Sequence, residues 1–105
     1  MKIYVSGPMS GIVDLNRKSF EDAAAMLRSA GHVVVSPTEL PPPSANTWEA
    51  WMRVDLEAMS ACTHIYMLEG WTNSIGATIE RTMALAMGMA MVLVMAMAMA
   101  MAGVM

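Results

Sequence analysis

The segment from Ser74 to Glu80 carries residue types that could take part in chemistry. Ser74 or Asn73 caps a predicted helix, and with Gly76 the helix start offers backbone amides and a hydroxyl to an anion or a hydroxyl-rich ligand. Glu80 lies about one and a half turns inside this helix, so its carboxylate can project along the side where the strands end. On spacing alone, a solvated or arginine-paired glutamate is the alternative interpretation.

The loop after the first predicted strand is a second candidate for ligand binding. Residues 6–11 contain two serines and two glycines, which could let a sugar or a phosphate approach the backbone amides. The segment matches neither the Walker sequence nor the dinucleotide-binding fingerprint. A tight turn without a ligand is therefore the alternative interpretation of this loop.

Two further side chains, Asp55 and Trp71, could contribute to a site. Asp55 lies on a predicted helix between Arg53 and Glu57, and taken alone it is an ordinary surface residue. Trp71 follows Gly70 at the end of the third predicted strand, where its ring could stack on a planar base or cover the edge of the sheet. Spacing alone does not decide between these interpretations.

These candidates are positioned by strands and helices that alternate along residues 1–94. The strands are predicted at 2–6, 32–35, 64–68 and 91–94, and the helices at 16–30, 46–61 and 75–87. The alternation predicts an α/β fold, a three-layer Rossmann-like (flavodoxin-like) domain with a parallel sheet of four to five strands. Ligands of such sheets bind at the carboxyl ends of the strands.

The second predicted helix carries a start signal and an apolar stripe. Asn46, followed three residues later by Glu49, fits a capping box, which places the helix start at Asn46. Trp48 and Trp51 recur with Met52 at helical spacing, and we expect them to begin the inward face of this helix.

Residues 82–105 form an uncharged stretch of 24 residues, which is long enough to cross a bilayer. Two glycines and a Val-Leu-Val run interrupt the stretch, and no basic anchor follows it. We therefore assign its first half to the third helix and the fourth strand, so that residues 1–94 form one domain and residues 95–105 a Met/Ala-rich tail. Periodicity leaves open whether the tail is a fifth strand or an additional helical turn.

Composition excludes several classes of protein. The chain has 105 residues and a net charge of −3, and its six basic residues are scattered, so we expect no nucleic-acid partner. The single cysteine excludes an internal disulfide and a cysteine-based zinc site, and the two histidines lack the spacing of metal ligands, so we expect no metal. The N-terminus lacks the long apolar core of a signal peptide, which predicts a cytoplasmic location.

Three motifs follow one another at set distances along the chain. They are the start Lys-Ile-Tyr-Val-Ser-Gly-Pro-Met-Ser-Gly, the helical segment 48–56 with Asp55, and the segment 70–80 with Glu80. Together they resemble the nucleoside 2-deoxyribosyltransferase superfamily, and most of all a small branch of it found in bacteria and phages. The resemblance covers residues 1–94.

The resemblance implies a role for each matched residue. In that superfamily the glutamate at the position of Glu80 is the nucleophile, and the aspartate at the position of Asp55 assists the departing base. The serine that matches Ser74 contacts the substrate in nucleotide-cleaving members. The other predicted substrate-binding residues are Tyr4, Gly7, Pro8, Ser10, Trp71 and Gly76.

The implied reaction needs two carboxyl groups in different protonation states. An ionised Glu80 would attack the anomeric carbon and form a covalent glycosyl-enzyme, while Asp55 with a raised pKa would protonate the leaving base. Water as acceptor gives a hydrolase, and a second base gives a transferase. We expect a small nucleoside or nucleotide as substrate and no cofactor.

Some positions depart from the superfamily pattern. Thr63 stands where many relatives carry an aspartate, and the first loop lacks the arginine that phosphate-binding members use. Because the superfamily often completes its pocket with a neighbouring subunit, we expect a homo-oligomer. A non-catalytic module that binds a nucleotide-like ligand on the same scaffold is the alternative function, and a membrane-tethered structural protein is the third.

Overall fold

A computed structural model describes residues 1–92 of the chain. The strands are β1 (Lys2–Ser6), β2 (Val33–Val35), β3 (His64–Met67) and β4 (Ala90–Met91), and the helices are α1 (Arg17–Ser29), α2 (Trp48–Ser60) and α3 (Ile75–Ala86). Strands and helices alternate as the sequence pattern predicts. The four strands form one parallel sheet in the order β2-β1-β3-β4, which confirms the predicted α/β fold.

The sheet lies between two helical layers because residues along β1 alternate between its faces. Ile3 and Val5 pack with Phe20 and Leu27 of α1 on one face. On the other face, α2 and α3 cover the sheet, and Tyr4 belongs to the apolar cluster there. Since side chains two residues apart in a strand share a face, Tyr4 and Ser6 both point toward the layer that contains α2 and α3.

The start of α2 differs from the sequence prediction by one residue. Thr47 is the N-cap, because its backbone is extended and its Oγ1 accepts a hydrogen bond of 3.1 Å from the amide of Ala50. The prediction of Asn46 as the cap is therefore wrong. The Asn46 side chain instead accepts a hydrogen bond of 3.0 Å from Nε1 of Trp51.

The predicted inward face of α2 is also only partly correct. Met52, Asp55 and Met59 are its buried residues, whereas the side chain of Trp48 is 47% exposed. Trp48 is the first residue of the helix and is not part of the apolar cluster that includes Leu56 and Met59. The start of α3 follows the prediction, since the Ser74 Oγ accepts a hydrogen bond of 3.1 Å from the amide of Ala77.

The described part of the uncharged segment, residues 82–92, belongs to the α/β domain. It supplies the second half of α3 and the short edge strand β4, which begins at Ala90, one residue before the predicted start. Residues 93–94 of the predicted strand lie outside the described residues. None of the helices within residues 1–92 has both the length and the apolar character needed to span a membrane. The predicted tail, 95–105, and the predicted boundary at residue 94 lie outside the described residues.

Gly7 is the point where the backbone after β1 comes closest to the neighbouring strand. A Cβ atom at this position would lie 2.6 Å from Cβ of Leu68, which follows β3. The Leu68 amide donates a 2.7 Å hydrogen bond to the Ser6 carbonyl, so the two chain segments cannot separate without losing that bond. Packing against Leu68 therefore requires a glycine at position 7, whether or not a ligand also contacts this loop.

Replacing Gly7 with alanine should lower the free energy of unfolding by about 1–3 kcal/mol, because the added methyl group overlaps the base of a buried side chain. Denaturant unfolding measures this change. Ser10→Ala in the same loop is the matched control, since Ser10 is exposed and should unfold like the unsubstituted chain. Equal stability of the two variants would show that the loop can move away from Leu68 at no cost.

Candidate active site

A cleft of about 1070 Å³ opens at the carboxyl ends of β1 and β3. Its walls come from the loop after β1, the start of α1, the segment after β2, and the first turns of α2 and α3. Three carboxylic acids line it, and two of them are buried: Asp55 from α2 and Glu80 from α3, with 8% and 5% of their surface exposed. The third, Glu69, is exposed. Buried carboxyl groups that line a cleft in a parallel α/β sheet are candidates for catalysis.

Glu80 is held by two hydroxyl groups from β1. The Tyr4 hydroxyl donates a hydrogen bond of 2.7 Å to Oε2, and the Ser6 hydroxyl donates one of 2.6 Å to Oε1. Both donors are fully buried, and they share one face of the strand because they are two residues apart. Short hydrogen bonds of this kind to a carboxylate fix its orientation and favour its ionised form.

Two opposing effects act on the pKa of Glu80. Burial is the larger effect and raises the pKa of Glu80 above its ordinary value, while the hydrogen bonds from Ser6 and Tyr4 limit the rise by stabilising the charge. Within residues 1–92 no cationic side chain forms an ion pair with this carboxylate, so the two hydroxyls are its main stabilisation. The pKa of Tyr4 is raised well above its ordinary value by burial and by the Glu80 charge, which keeps the phenol protonated as a donor.

Asp55 has the opposite environment. Its Oδ1 atom is buried and has no hydrogen-bond partner among the described residues. Burial, and secondarily the negative charge of Glu80, raises the pKa of Asp55 from 3.8 to about 7. A buried carboxyl oxygen without a hydrogen-bond partner is rare in folded proteins. A bound ligand that forms a hydrogen bond with this oxygen would explain it.

The environments of the two carboxyl groups therefore favour different protonation states. Glu80 has two donors that favour its charge, whereas the Oδ1 atom of Asp55 has none among the described residues, so near neutral pH Asp55 is the carboxyl group that more readily holds a proton. One ionised and one protonated carboxyl group in the same cleft are the components of acid–base and nucleophilic chemistry at a glycosidic bond. Among residues 1–92, no three His, Cys, Asp or Glu side chains are grouped to bind a metal ion.

Most of the sequence-predicted site residues lie together. The cleft is lined by the two predicted carboxylates and by Gly7, Pro8, Ser10, Ser74 and Gly76. Tyr4 lies behind Glu80 and reaches the site through it. Trp71 is not part of the cleft lining, because its ring packs against the Arg81 guanidinium, 5.1 Å from the ring centroid, and against the apolar cluster below α3.

The geometry adds three residues that the sequence interpretation did not name as site residues, although Ser6 belongs to the candidate loop 6–11. Ser6 contacts Glu80 directly, and Trp48 and Trp51 line the cleft. The signal for Ser6 was its position two residues after Tyr4 on the same strand. The signal for the tryptophans was their spacing of seven and four residues from Asp55, which places all three side chains near one face of a helix.

Gly76 has a structural role at the same place. A side chain there would meet Sδ of Met52 at 3.3 Å and Cζ2 of Trp48 at 4.0 Å. The missing side chain therefore lets the first turn of α3 approach the first turns of α2. This close approach brings the two helix starts into one wall of the cleft.

Removal of the Ser6 hydroxyl tests the hydrogen bonds that hold Glu80. In a Ser6→Ala variant the pKa of Glu80 should rise, because a donor to its ionised form is lost while its burial is unchanged. The acid limb of the pH dependence of kcat/KM should move to higher pH, and activity on its acid side should fall about tenfold. A pH profile of any turnover that requires ionised Glu80 measures this shift.

The matched control is Ser36→Ala, which removes another buried serine hydroxyl, bonded at 3.0 Å to Thr38 and not to Glu80. This variant should lose some stability and keep the acid limb where it is. An acid limb that stays in place in Ser6→Ala would contradict a role for Ser6 in stabilising the Glu80 charge.

Solved structures with the same fold include enzymes that act on glycosidic bonds. The chain is similar to a 2-deoxyribosyltransferase from the psychrotolerant bacterium Bacillus psychrosaccharolyticus, with a TM-score of 0.67 and 26% identity over 87% of this chain and 69% of that one. It also has the fold of the CMP N-glycosidase BcmB of Clostridium botulinum, with a TM-score of 0.60 and 19% identity over 87% and 68% of the two chains. The predicted resemblance to the nucleoside 2-deoxyribosyltransferase superfamily is thus confirmed.

The comparison with curated proteins finds no match. A family model does match, and it covers residues 1–93, which include every residue of the cleft described above. That family is described as a domain of unknown function, DUF4406. Because the match extends over most of the sequence, the chain belongs to the DUF4406 family.

Proposed function

We propose that this protein cleaves or transfers the N-glycosidic bond of a nucleoside or nucleotide, with Glu80 as the nucleophile and Asp55 as the proton donor. The observation that carries the proposal is the pair of buried carboxyl groups in one cleft, one held by two hydroxyls and the other without a partner among the described residues. The similarity to a 2-deoxyribosyltransferase and the shared fold of a CMP N-glycosidase support the same reaction class.

In the first step an oxygen of ionised Glu80 attacks the anomeric carbon of the sugar. The new bond is an ester between Glu80 and the sugar, and the bond that breaks joins the anomeric carbon to the base nitrogen. The electron pair of the broken bond passes to the base, which takes the proton of Asp55 as it leaves. Each oxygen of Glu80 accepts a single hydroxyl, so each keeps a lone pair that can attack.

In the second step the now ionised Asp55 acts as a base. It takes a proton from water or from the ring nitrogen of an incoming base, and that atom attacks the anomeric carbon and releases Glu80. Both carboxyl groups then return to their starting states. Whether the product is a free sugar or a new nucleoside depends on which acceptor enters the cleft.

The proposal is tested by incubating the purified chain with a panel of nucleosides and nucleoside 5′-monophosphates, with and without a free acceptor base. Chromatography should show a released base, or an exchanged one where an acceptor is present. Failure of every compound to react, together with stabilisation of the chain by one of them in thermal unfolding, would contradict the enzyme and support a ligand-binding module.

The predicted homo-oligomer and cytoplasmic location stay predictions.

A further inference from the structure

The loop between β1 and α1 contains three consecutive residues in the left-handed backbone conformation. Asp14, Leu15 and Asn16 have φ angles of 50°, 53° and 60°, and within residues 1–92 every other residue with a positive φ is a glycine. Aspartate and asparagine adopt this conformation more readily than other side chains, whereas for leucine it is strained. Strained backbone of this kind is found at switches and ligand clamps, where the surrounding structure holds it.

Little of the surrounding structure holds Leu15 in place. Its side chain is 52% exposed, so packing does not compensate for the backbone strain. The hydrogen bonds here are local, because the Leu15 amide donates to the Ile12 carbonyl and the Asn16 side-chain amide donates to the Pro8 carbonyl, each at 3.0 Å. Neither bond reaches a strand or one of the helices α2 and α3. Leu15 can therefore move without losing a hydrogen bond to the core.

The strained segment also exposes apolar side chains beside the cleft. Ile12 and Leu15 line the cleft, and Val13 between them is 91% exposed. The opposite side of the cleft carries Ile75, the first residue of α3, which is 75% exposed, and Trp48 at the start of α2. The two groups are opposite each other because α1 packs on one face of the sheet while α2 and α3 cover the other. Contact between them would remove apolar surface from water on both sides.

Gly11 provides a hinge at the beginning of this segment. Its φ is 78°, and a Cβ atom built there would have no atom within 4 Å, so the backbone around it has free space. Glycine accommodates large changes of φ and ψ without steric cost. Residues 11–16 therefore begin at a flexible position and contain a strained one.

We propose that residues 11–16 form a lid, which closes over an occupied cleft by packing its apolar side chains against Ile75 and Trp48 while Leu15 leaves the left-handed conformation. The structure shows the open form, in which Leu15 is strained and both apolar groups are exposed. Closure would bury the ligand and shield the Asp55–Glu80 pair from bulk water. The inference goes beyond the proposed function, because the lid would close over any ligand that fills the cleft.

Disulfide trapping tests the closure without a ligand. Leu15→Cys and Ile75→Cys are combined in the full chain, and an intrachain disulfide is followed by mass spectrometry under mild oxidation. The matched control combines Leu15→Cys with Met83→Cys, since Met83 is also exposed on α3 but lies about two turns farther along the helix and does not line the cleft. The natural thiol of Cys62 is buried and should stay reduced.

The pair at positions 15 and 75 should close at least about tenfold faster than the control pair, because a disulfide forms only when the two Cα atoms come within about 7 Å. The trapped chain should not bind adenosine or cytidine, and reduction of the disulfide should restore any binding seen before oxidation. Equal rates for the two pairs, or no disulfide between positions 15 and 75, would overturn the lid.

Two variants of Leu15 test whether strain is released on closure. Leu15→Ala and Leu15→Gly both remove the apolar side chain, but only alanine is strained in the left-handed conformation. Binding of adenosine and cytidine is measured by calorimetry in a Glu80→Gln background, which prevents turnover. Leu15→Gly should bind about five- to 30-fold more weakly than Leu15→Ala, the ratio that corresponds to the penalty of one strained residue. Equal affinities would show that closure releases no strain and would overturn the proposal.

These results are independent of the proposed reaction. A fast disulfide between positions 15 and 75, without cleavage of any nucleoside or nucleotide, supports the lid and overturns the reaction. Cleavage that requires Glu80, together with equal trapping rates, supports the reaction and overturns the lid. If neither adenosine nor cytidine binds, the trapping rates alone decide for or against the lid.

Discussion

Replacement of Glu80 with glutamine should lower kcat for base release by roughly 10⁴- to 10⁶-fold. This is the range seen when an enzyme loses its nucleophile or another residue of its catalytic group. The amide has the shape of the carboxylate but cannot form the ester with the anomeric carbon. Its oxygen can still accept a hydrogen bond from Tyr4 or Ser6, so the variant should fold and bind its ligand with nearly the original affinity. Single-turnover assays and isothermal calorimetry measure the two quantities.

Glu57→Gln is the matched control for this substitution. Glu57 lies on α2, is exposed and is not part of the cleft lining, so the same change of group there should leave kcat unchanged. Residual activity of Glu80→Gln within tenfold of the unsubstituted chain would exclude Glu80 as the nucleophile. Loss of ligand binding together with activity would show instead that the negative charge of Glu80 is needed for binding.

Replacement of Asp55 with asparagine should lower kcat by about 10²- to 10⁴-fold, the contribution typical of a positioned acid. The asparagine side chain cannot transfer a proton to the departing base. In a nucleoside whose base already carries a positive charge through ring methylation, the base departs without needing that proton. Cleavage of such a nucleoside should be much less affected by the substitution. Equal losses on both kinds of substrate would contradict the role of Asp55 as proton donor.

The same substitution should stabilise the protein at alkaline pH. Because the pKa of Asp55 in the folded chain is about 7 and its ordinary value is 3.8, the stability associated with its protonated form is present at low pH and is lost as the pH rises through 7. At pH above about 8 the cost of ionising Asp55 approaches roughly 4 kcal/mol, which asparagine does not incur. Thermal unfolding from acid to alkaline pH should show Asp55→Asn gaining stability over the parent with rising pH, while Glu57→Gln shows no such trend.

The fold could be predicted from the sequence because its strands and helices have strong local signals. The apolar positions of α1 recur at helical spacing, and the β-branched run before Pro37 favours a strand, so local sequence places both elements. The expectation that this strand is buried is wrong, because β2 lies at the edge of the sheet and Val33 is 62% exposed. The start of α2 could not be placed to the residue, because Asn46 and Thr47 are both good capping residues. The side chain of Asn46 is used by Trp51, a contact that local sequence does not reveal.

The candidate site could be predicted only in part for a different reason. Glu80 and Asp55 were identified by family resemblance, since their residue types and positions along the chain are unremarkable by themselves. The contact between Ser6 and Glu80 depends on how α3 packs against the face of β1. Trp71 was predicted in the site, but Trp48 and Trp51 line the cleft instead, because one side of α2 faces the opening. These are properties of tertiary geometry, and one sequence does not specify them.

The hydrogen bonds between β1 and Glu80 also constrain the order in which the molecule can fold. They join residues separated by 74 and 76 positions in the chain, which are among its longest-range contacts. Local structure such as a helix forms early, whereas contacts between distant parts of the chain carry a larger entropic cost and form later. During synthesis on the ribosome, β1 leaves the exit tunnel long before α3 and must wait for it. The Glu80 carboxylate thus remains hydrated until α3 packs against β1, and the reacting centre is completed only at that late stage of folding.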